Sequence, residues 1–329
     1  MDRFDLTVIG GGPVGLFAAA LAGMHGMKTK LIEALPYLGG QLTALYPEKW
    51  IYDVAGFPRV LAKDLVEHLE QQARRYHPAI VLEETVDRLE ALPDGGYRLY
   101  TDRAAHETRA ILITSGIGAF APRKLPVAGA ERFEGRGLYY FVPPMQHFAD
   151  QTVVVVGGGD SALDWALAAS EVAKSVLLVH RRDEFRGQAE TLRQVMARPN
   201  TAVRVFTEVR NLAGTSRLQA VELIDHKTKA TEWVTADSVI AALGFHSSLG
   251  PIKDWGLEFH GANIVTYEAG QTSRPGIYAA GDVAYYPGKV KLIATGFGEV
   301  GNAIGHIRGY LHPGHKGGLP HSTNLKMGE

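Results

Sequence analysis

Short apolar runs that end at glycines alternate with longer patterns of helical period along the first part of the chain. Residues 4–9 form such a run, and the proline that opens Pro13–Met24 suits the first turn of a helix. A second strand is predicted over Lys28–Glu33. The same order of strand, glycine turn, helix and strand returns at Thr152–Val156, Asp160–Val172 and Ser175–His180. The chain is therefore predicted to contain two mononucleotide-binding units.

Changes of pattern divide the chain into two parts. Alternating residues in Glu83–Ile113 surround the turn signal Pro93–Gly96 and predict an antiparallel meander, and Val203–Ile240 alternates in a similar way. Segments with glycine at Ser115–Gly118 and Gly244–Ser248 each follow an apolar run and each precede a new pattern. The second unit is therefore predicted to be inserted into the first.

The fold class that follows is α/β, with two Rossmann-like three-layer nucleotide-binding domains. We predict one domain from residues 1–117 and 246–329, and the inserted domain from residues 118–245. The tail from His312 is rich in Gly, Pro, His and Lys, so a loop or arm is expected there rather than core.

Composition narrows the functions that this fold can carry. The 34 Lys and Arg residues nearly balance the 35 Asp and Glu residues, which argues against a nucleic-acid partner. Leu6–Met24 is uncharged, but Gly10–Pro13 interrupts any continuous helix there, so neither a membrane span nor an export signal is expected. The chain has no cysteine, which excludes thiolate catalysis and iron–sulfur ligation and suits a cytoplasmic protein.

The first glycine turn has the spacing of a dinucleotide-binding motif. Its three motif glycines are Gly10, Gly12 and Gly15. Bare glycines let a pyrophosphate approach the backbone, and the start of the following helix offers N–H groups to the phosphates. Glu33 stands 21 residues after Gly12, where an acid accepts hydrogen bonds from adenosine ribose hydroxyls. Such an acid repels a 2′-phosphate, so this site is predicted to bind FAD.

The second glycine turn ends in cations where the first ends in an acid. Its predicted coenzyme-binding residues are Gly157, Gly159, Asp160, Ser161, His180, Arg181, Arg182 and Arg186. Guanidinium groups bind phosphate bidentately, so the exchange of an acid for His180 and two arginines indicates the 2′-phosphate of NADPH. The alternative is an ordinary solvated, basic start of a helix.

A third stretch, Gly276–Asp282, places an acid after an apolar run. Asp282 suits the ribityl hydroxyls of a flavin, although a Gly-Asp pair by itself is more often a plain turn. The uncharged stretch Leu292–Gly298 is predicted to lead into a helix whose N-terminus faces the flavin and stabilises negative charge on reduction.

With these residues in place, the chain resembles the thioredoxin-reductase-like ferredoxin–NADP reductases over essentially its whole length. The stretches that carry the resemblance are Val8–Gly15, Gly39–Lys49, Tyr52–Pro58, Gly118–Leu125 and Lys289–Glu299. Thioredoxin reductases carry a Cys-x-x-Cys in the inserted domain, just before a Gly-Asp-Ser-Ala helix. Here the equivalent place, Gly157–Ala162, has no cysteine, so the dithiol relay is absent.

The resemblance also implies roles for individual residues and a homodimer. Glu33, Gln41, the Val86 backbone, Phe120 and Asp282 are implied to contact FAD along its length. Tyr46 is implied to stack on one isoalloxazine face. In the C-terminal extension, His321 is implied to cover the opposite face and Thr323 to touch FAD. The sequence departs from the family pattern at Val300–Asn302, at the helix that is expected to face the flavin.

The implied reaction is hydride transfer from NADPH to flavin N5, followed by single-electron transfer to ferredoxin or a similar one-electron carrier. Ferredoxins are usually acidic, so docking on cations is expected, and Lys289, Lys291, Arg308 and Lys316 are candidates. Two alternatives stay open: a reductase of another acceptor, such as flavodoxin, a quinone or a separate disulfide protein, and a non-catalytic flavin and NADPH sensor. The late histidines fit no zinc spacing, so no metal site is expected.

Overall fold

A computed structural model describes residues 2–314 and 319–324 of the chain. The chain divides into two compact units, one formed by Met1–Phe120 with Ser247–Glu329 and the other by Ala121–His246. We call them unit 1 and unit 2. The breaks lie within a few residues of the boundaries proposed from the glycine-bearing segments. Which nucleotide each unit binds is a separate question, and that assignment stays a prediction.

The elements of unit 1 before the first break alternate between strands and helices. They are β1 (Arg3–Ile9), α1 (Pro13–Met24), β2 (Thr29–Ile32), α2 (Gln41–Leu45), β3 (Trp50–Ile51), β4 (Val60–Leu61), α3 (Ala62–Arg74), β5 (Ala79–Val81), β6 (Val86–Ala91), β7 (Tyr97–Thr101) and β8 (Ala105–Ile113). The chain then passes through β9 (Ala119–Pro122).

Unit 2 and the return to unit 1 complete the chain. In unit 2 the elements are β10 (Leu138–Tyr139), β11 (Thr152–Val156), α4 (Asp160–Ser170), β12 (Ser175–Val179), α5 (Ala189–Ala197), β13 (Thr201–Arg204), β14 (Thr207–Gly214), β15 (Leu218–Asp225), β16 (Thr231–Thr235) and β17 (Ser238–Ala241). After β18 (Phe245–Ser248) come β19 (Phe259–His260), β20 (Asn263–Val265), β21 (Ile277–Ala279), β22 (Ala284–Tyr285) and α6 (Ile293–Leu311). Short 3-10 helices lie at Ala130–Phe133, Met145–Phe148, Gly250–Asp254, Glu268–Gly270, Gly281–Val283 and Ser322–Asn324.

The main sheet of unit 1 combines a parallel half with an antiparallel half. Its strand order is β5-β2-β1-β8-β7-β6, and β21 also pairs with β8. The two halves share β8: its first part pairs antiparallel with β7, and its last three residues pair in parallel with β21. The antiparallel meander predicted within Glu83–Ile113 is therefore found, and its last strand, β8, also belongs to the parallel half of the sheet.

Alternation along the central strands explains how this sheet is buried on both faces. In β8, Leu112 belongs to the core beneath α1, α3 and α6, whereas Ile111 and Ile113 belong to the core on the opposite face. Each of these three side chains is fully buried. Strands covered on both faces read as continuous apolar runs, which is the pattern that the sequence shows here.

Unit 2 repeats the parallel arrangement on a smaller scale. Its five-stranded sheet has the order β10-β17-β11-β12-β13 with all pairs parallel, and β14-β15-β16 form a separate antiparallel sheet. Along β11, Val153 and Val155 face the core that contains α4, and Val154 and Val156 face the other core. Glycine turns that lead from a first strand into a helix thus occur in both units, and the predicted α/β class is confirmed.

Candidate functional site

The first glycine turn joins β1 to α1 in unit 1. Pro13 opens the helix, as expected for a residue whose missing N–H would have no intrahelical partner. At Gly15 a side chain has no room, because its Cβ would clash with the carbonyl oxygen of Gly10. Gly10 and Gly12 line a cavity, whereas Gly15 serves the close packing of the helix against the turn. The first turn of α1 directs its unpaired N–H groups toward the part of the cavity that Gly10 and Gly12 line.

Glu33 follows β2 and is 7% exposed. Its Oε2 accepts a hydrogen bond from the N–H of Gly11 at 2.6 Å, and its Oε1 accepts one from the N–H of Leu35 at 2.9 Å. Burial raises the pKa of this carboxyl, and the backbone N–H groups oppose the rise by stabilising the charge. The carboxylate therefore braces the glycine turn besides lining the cavity, a second role that the sequence pattern did not reveal.

The cavity of unit 1 has a volume of about 810 Å³ and gathers most of the residues expected to bind FAD. Those that line it are Gly10, Gly12, Glu33, Gln41, Tyr46, Val86 and Asp282. Further lining residues had no sequence signal of their own, among them Thr85, Ser115 and Trp50. Ser115 reaches the cavity because it follows β8, whose carboxyl end lies beside that of β1 although the two are distant along the chain.

The predicted tail contacts are not among the residues that line the cavity. His321 and Thr323 are exposed and lie outside that set. Leu319 packs against the core of unit 1 near Gly305 in α6. The side chain of Phe120 lies outside the part of the chain whose side chains the structure describes. The tail's contacts with a flavin therefore stay predictions.

The polar groups of the cavity fit an adenine dinucleotide of the FAD type. The Oγ of Ser115 is buried and, among the described residues, has no hydrogen-bond partner. A buried hydroxyl without a partner is unfavourable, and a ligand oxygen at the cavity wall would satisfy it. Gly116, beside it, has a positive φ of 60°, which keeps the wall free of a side chain at that point. Together with the carboxylate of Glu33, these groups match ribose and diphosphate chemistry.

Tyr46 lies just after α2 and is half-buried at the cavity wall. Burial raises the pKa of its hydroxyl, and the nearby carboxylates of Asp282 and Asp53 raise it further. The ring is therefore a neutral phenol at physiological pH. A neutral aromatic face at the wall is what stacking on a flavin ring requires.

The start of α6 reaches the cavity, and its orientation toward a flavin stays a prediction. Leu292 and Ile293 line the cavity, and no acidic residue occupies the first turn of the helix. The positive end of the helix dipole therefore lies near the wall and stabilises negative charge there. Val300, where the sequence departs from the family pattern, is fully buried within the helix, so the departure does not interrupt α6.

The prediction that Lys289 is a surface cation for a protein partner is wrong. Its side chain is 4% exposed and forms an ion pair with Glu299. Lys291 is exposed and lines the cavity, and Arg308 is half-buried. Lys316 lies outside the described residues. Lys289 was predicted to be a surface cation because its partner, Glu299, lies ten residues further on, in α6.

The second glycine turn, in unit 2, is closed by His180. The imidazole of His180 packs onto Gly158, so that a Cβ at Gly158 would clash with the ring. Its Nε2 donates to the carbonyl of Glu184 at 3.1 Å. Burial lowers the pKa of His180; this hydrogen bond raises it, and the neighbouring arginines lower it. The ring is therefore neutral and has a structural part in the turn.

The three arginines predicted to bind a 2′-phosphate, Arg181, Arg182 and Arg186, are exposed on the segment after β12. The N–H of Arg186 donates to the carbonyl of Gly158 at 2.7 Å, which attaches this segment to the glycine turn. Within the described residues, none of the three guanidinium groups forms an ion pair. They are thus positioned beside the turn with their donors available to an anionic ligand.

The remaining members of the second turn lie at the start of α4. Asp160 is the first residue of the helix, and its Oδ1 accepts a hydrogen bond from the N–H of Gln188 at 2.9 Å. Ser161 is exposed beside it. In residues 2–314 and 319–324, no group of His, Cys, Asp and Glu side chains has the arrangement of a metal site. Over the same ranges no helix combines the length and apolarity that crossing a membrane requires.

Comparisons with known proteins agree with this arrangement. The family model described as pyridine nucleotide-disulphide oxidoreductase matches residues 4–306. Ferredoxin–NADP reductase 2 of Shouchella clausii is 50% identical over 327 residues, which are 98% of this chain and 98% of that protein. Ferredoxin–NADP reductase of Halalkalibacterium halodurans is 47% identical, again with 98% of each chain covered. The crystal structure of Lactococcus lactis thioredoxin reductase is similar with a TM-score of 0.70 and 25% identity, covering 94% of this chain and 99% of that chain.

Proposed function

The chain belongs to the pyridine nucleotide-disulphide oxidoreductase family, and from this premise we propose that it is an FAD-dependent ferredoxin–NADP reductase. Two full-length relatives at 47% and 50% identity bear that name. In this proposal unit 1 binds FAD and unit 2 binds NADPH. The observation that carries the proposal is the cavity of unit 1, which brings the glycine turn, Glu33, Tyr46 and Asp282 together in a chain without cysteine.

The absence of cysteine separates this proposal from the disulfide chemistry in the family's description. A dithiol relay needs two thiols that alternate between reduced and oxidised forms. The whole sequence contains none, so electrons leave the chain without passing through its side chains as thiols. Direct transfer from the flavin to an external acceptor is the exit that remains for such a chain, and the relatives named ferredoxin–NADP reductase favour a one-electron carrier as that acceptor.

The chemistry that FAD supplies when bound is the exchange of one hydride for two single electrons. In the proposed mechanism the residues of unit 1 bind and orient. Glu33 and the first turn of α1 would hold the adenosine and diphosphate of FAD, and Asp282 and the start of α6, which line the same cavity, would hold its flavin end. Tyr46 presents a neutral ring face, and its raised pKa keeps its proton in place during turnover. No side chain is required to act as a general acid or base.

Unit 2 contributes coenzyme selection in this proposal. The glycine turn before α4 receives the diphosphate of NADPH, and Arg181, Arg182 and Arg186 bind the 2′-phosphate. The protein partner is ferredoxin or a similar one-electron carrier. A homodimer and a cytoplasmic location also belong to the proposal, and they are supported by the family resemblance and the lack of cysteine.

The test is an anaerobic two-stage assay on the purified protein. The released flavin is first identified by mass spectrometry, and FAD rather than FMN is expected because Glu33 lines an adenosine site. NADPH is then added with ferredoxin, flavodoxin or a quinone as acceptor. Ferredoxin should give the highest kcat/KM. A clear preference for another acceptor would show that the partner is not ferredoxin. If FAD is bound but NADPH fails to reduce it, the alternative of a non-catalytic flavin and NADPH sensor would be favoured.

A further inference from the structure

A buried ion pair beside the cavity takes no direct part in the functions described so far. Lys289 Nζ lies 2.6 Å and 2.8 Å from the two carboxylate oxygens of Glu299. The side chain of Lys289 is 4% exposed and that of Glu299 is 11% exposed. Removing two charges from water is so unfavourable that a buried pair is weak evidence for a purely stabilising role. The other contacts of the pair therefore indicate what role it has.

Both members of the pair bind the same residue, Gly281. The N–H of Gly281 donates to Oε2 of Glu299 at 2.7 Å, and its carbonyl oxygen accepts from Nζ of Lys289 at 2.7 Å. These two groups belong to the successive peptide planes on either side of the Gly281 Cα. The pair therefore fixes both planes at once, and we name it the Lys289–Glu299 clamp.

Tyr286 completes the hydrogen bonding of the clamp. Its hydroxyl donates to Oε1 of Glu299 at 2.7 Å. Burial and this contact with Glu299 raise the pKa of Tyr286 to about 12, so the residue donates as a neutral phenol. The contact reaches Glu299 without touching Gly281. Tyr286→Phe is thus a matched control, which removes a hydrogen bond from the same carboxylate and leaves the backbone contacts intact.

The clamped residue has a backbone conformation that requires support. Gly281 has a φ of +77°, in the left-handed region, and a side chain at this position would also press against Val14. Helix α6 comes close at Gly296, where a Cβ would lie 3.4 Å from the Gly281 Cα and 2.5 Å from Val14. A turn packed this tightly tolerates only small displacements before its neighbours clash.

The turn that the clamp holds forms part of the cavity wall. Gly281 and Asp282 both line the cavity. The carbonyl oxygen of Asp282 accepts a hydrogen bond from Nδ2 of Asn263 at 2.6 Å, so the turn is held on its other side as well. The backbone around Asp282 is thus fixed before and after the side chain that faces the cavity.

We propose that Lys289 and Glu299 are positioning residues that fix the Gly281–Asp282 turn in the orientation needed to hold the flavin end of FAD. The proposal rests on the proposed function, since it takes FAD as the occupant of the cavity. The clamp acts through the backbone of Gly281 and through Asp282. Its ion pair is electrically neutral as a whole, so it orients the turn without adding net charge to the wall.

The test compares FAD release and thermal unfolding in Glu299→Gln, Lys289→Met, the double variant and Tyr286→Phe. FAD release is followed by the rise of flavin fluorescence after dilution of the purified holoprotein. Each single variant should release FAD at least about tenfold faster and shift the visible absorbance of the bound flavin. Lys289→Met removes the donor to the Gly281 carbonyl, and Glu299→Gln removes the negative charge that holds Lys289 against that carbonyl. Tyr286→Phe should change the rate less than about threefold.

The double variant separates positioning from simple charge balance. It buries no unpaired charge, so its thermal midpoint should recover toward that of the wild type, while FAD release stays fast because the Gly281 carbonyl still lacks its donor. If FAD release recovers together with the thermal midpoint, the clamp only balances charge and the proposal is overturned. If the single variants fail to fold, the double variant alone decides. A wild-type protein that binds no FAD refutes the proposed function instead.

Discussion

The choice of coenzyme depends on two arginines whose surroundings the structure now defines. Arg181 and Arg182 are exposed beside the second glycine turn, and neither forms an ion pair with any residue that the structure describes. Replacing both with glutamine should raise KM for NADPH steeply and leave the kinetics with NADH nearly unchanged, because NADH lacks the phosphate that the arginines bind. The turnover at saturating NADPH should barely move, since the loss affects binding and not the chemical step.

The expected loss of kcat/KM for NADPH depends on how exposed the two arginines are. A charge-assisted hydrogen bond contributes about 1.5 to 3 kcal/mol, and exposed groups belong at the lower end because solvent screens them. Two such bonds amount to about 3 kcal/mol. At about 1.4 kcal/mol for each factor of ten, the double variant should lose roughly two orders of magnitude in kcat/KM for NADPH.

Steady-state kinetics with both coenzymes and one acceptor measure this. Arg193→Gln is the matched control, because Arg193 is another exposed arginine of unit 2 that pairs with Glu190 on α5. It should leave both coenzymes unaffected. Equal losses with NADPH and NADH in the double variant would show that Arg181 and Arg182 support the fold of the turn. The assignment of NADPH to unit 2 would then be withdrawn.

Three further predictions concern thiols, the tail and acid stability. N-ethylmaleimide should leave electron flow from NADPH to ferricyanide unchanged, and strong inhibition would contradict a mechanism without thiols. Deleting residues 320–329 removes His321 and should alter the flavin absorbance spectrum and the rate of reduction by NADPH; if neither changes, the tail does not cover the flavin. Burial acts to raise the pKa of Glu84, but hydrogen bonds from His106 and Thr101 outweigh it and leave this pKa below its ordinary value of 4.5. The stability that Glu84 contributes is therefore present above pH 4.5 and is lost as pH falls through the lowered pKa. His106→Ala should cost about 1 to 3 kcal/mol in urea unfolding at neutral pH and flatten this acid dependence, whereas an unchanged acid profile would refute the coupling.

The order of elements around the two glycine turns was predictable from the sequence because it depends on local patterns. Helix α1 spans the predicted residues, and proline at its first position is the reason. The strand predicted over Lys28–Glu33 is one residue shorter at each end, Thr29–Ile32, although the N–H of Glu33 still donates to the carbonyl of Val81 in β5. Helix α4 likewise ends at Ser170, two residues before the predicted Val172.

What the sequence concealed are contacts between residues whose local patterns suggest other roles. Ser115 looked like part of a glycine-rich connection, yet it lines the cavity because β8 ends at the same sheet edge as β1. Lys289 looked like a surface cation, because nothing in its neighbours shows that α6 returns Glu299 to its side. Such pairings depend on tertiary packing, which hydrophobic periodicity does not encode.

The central position of β8 has a consequence for the order in which the protein folds during synthesis. Ile111 pairs with Ile277, so the parallel sheet of unit 1 stays incomplete until the ribosome has made β21, long after β8 itself. Unit 2 lies on one uninterrupted stretch, 121–246, and all of its strand pairs become available earlier. Nascent chains should therefore protect the amides of β11 from hydrogen exchange before the amide of Ile111, which donates to the carbonyl of Gly276, because contacts distant in sequence form last.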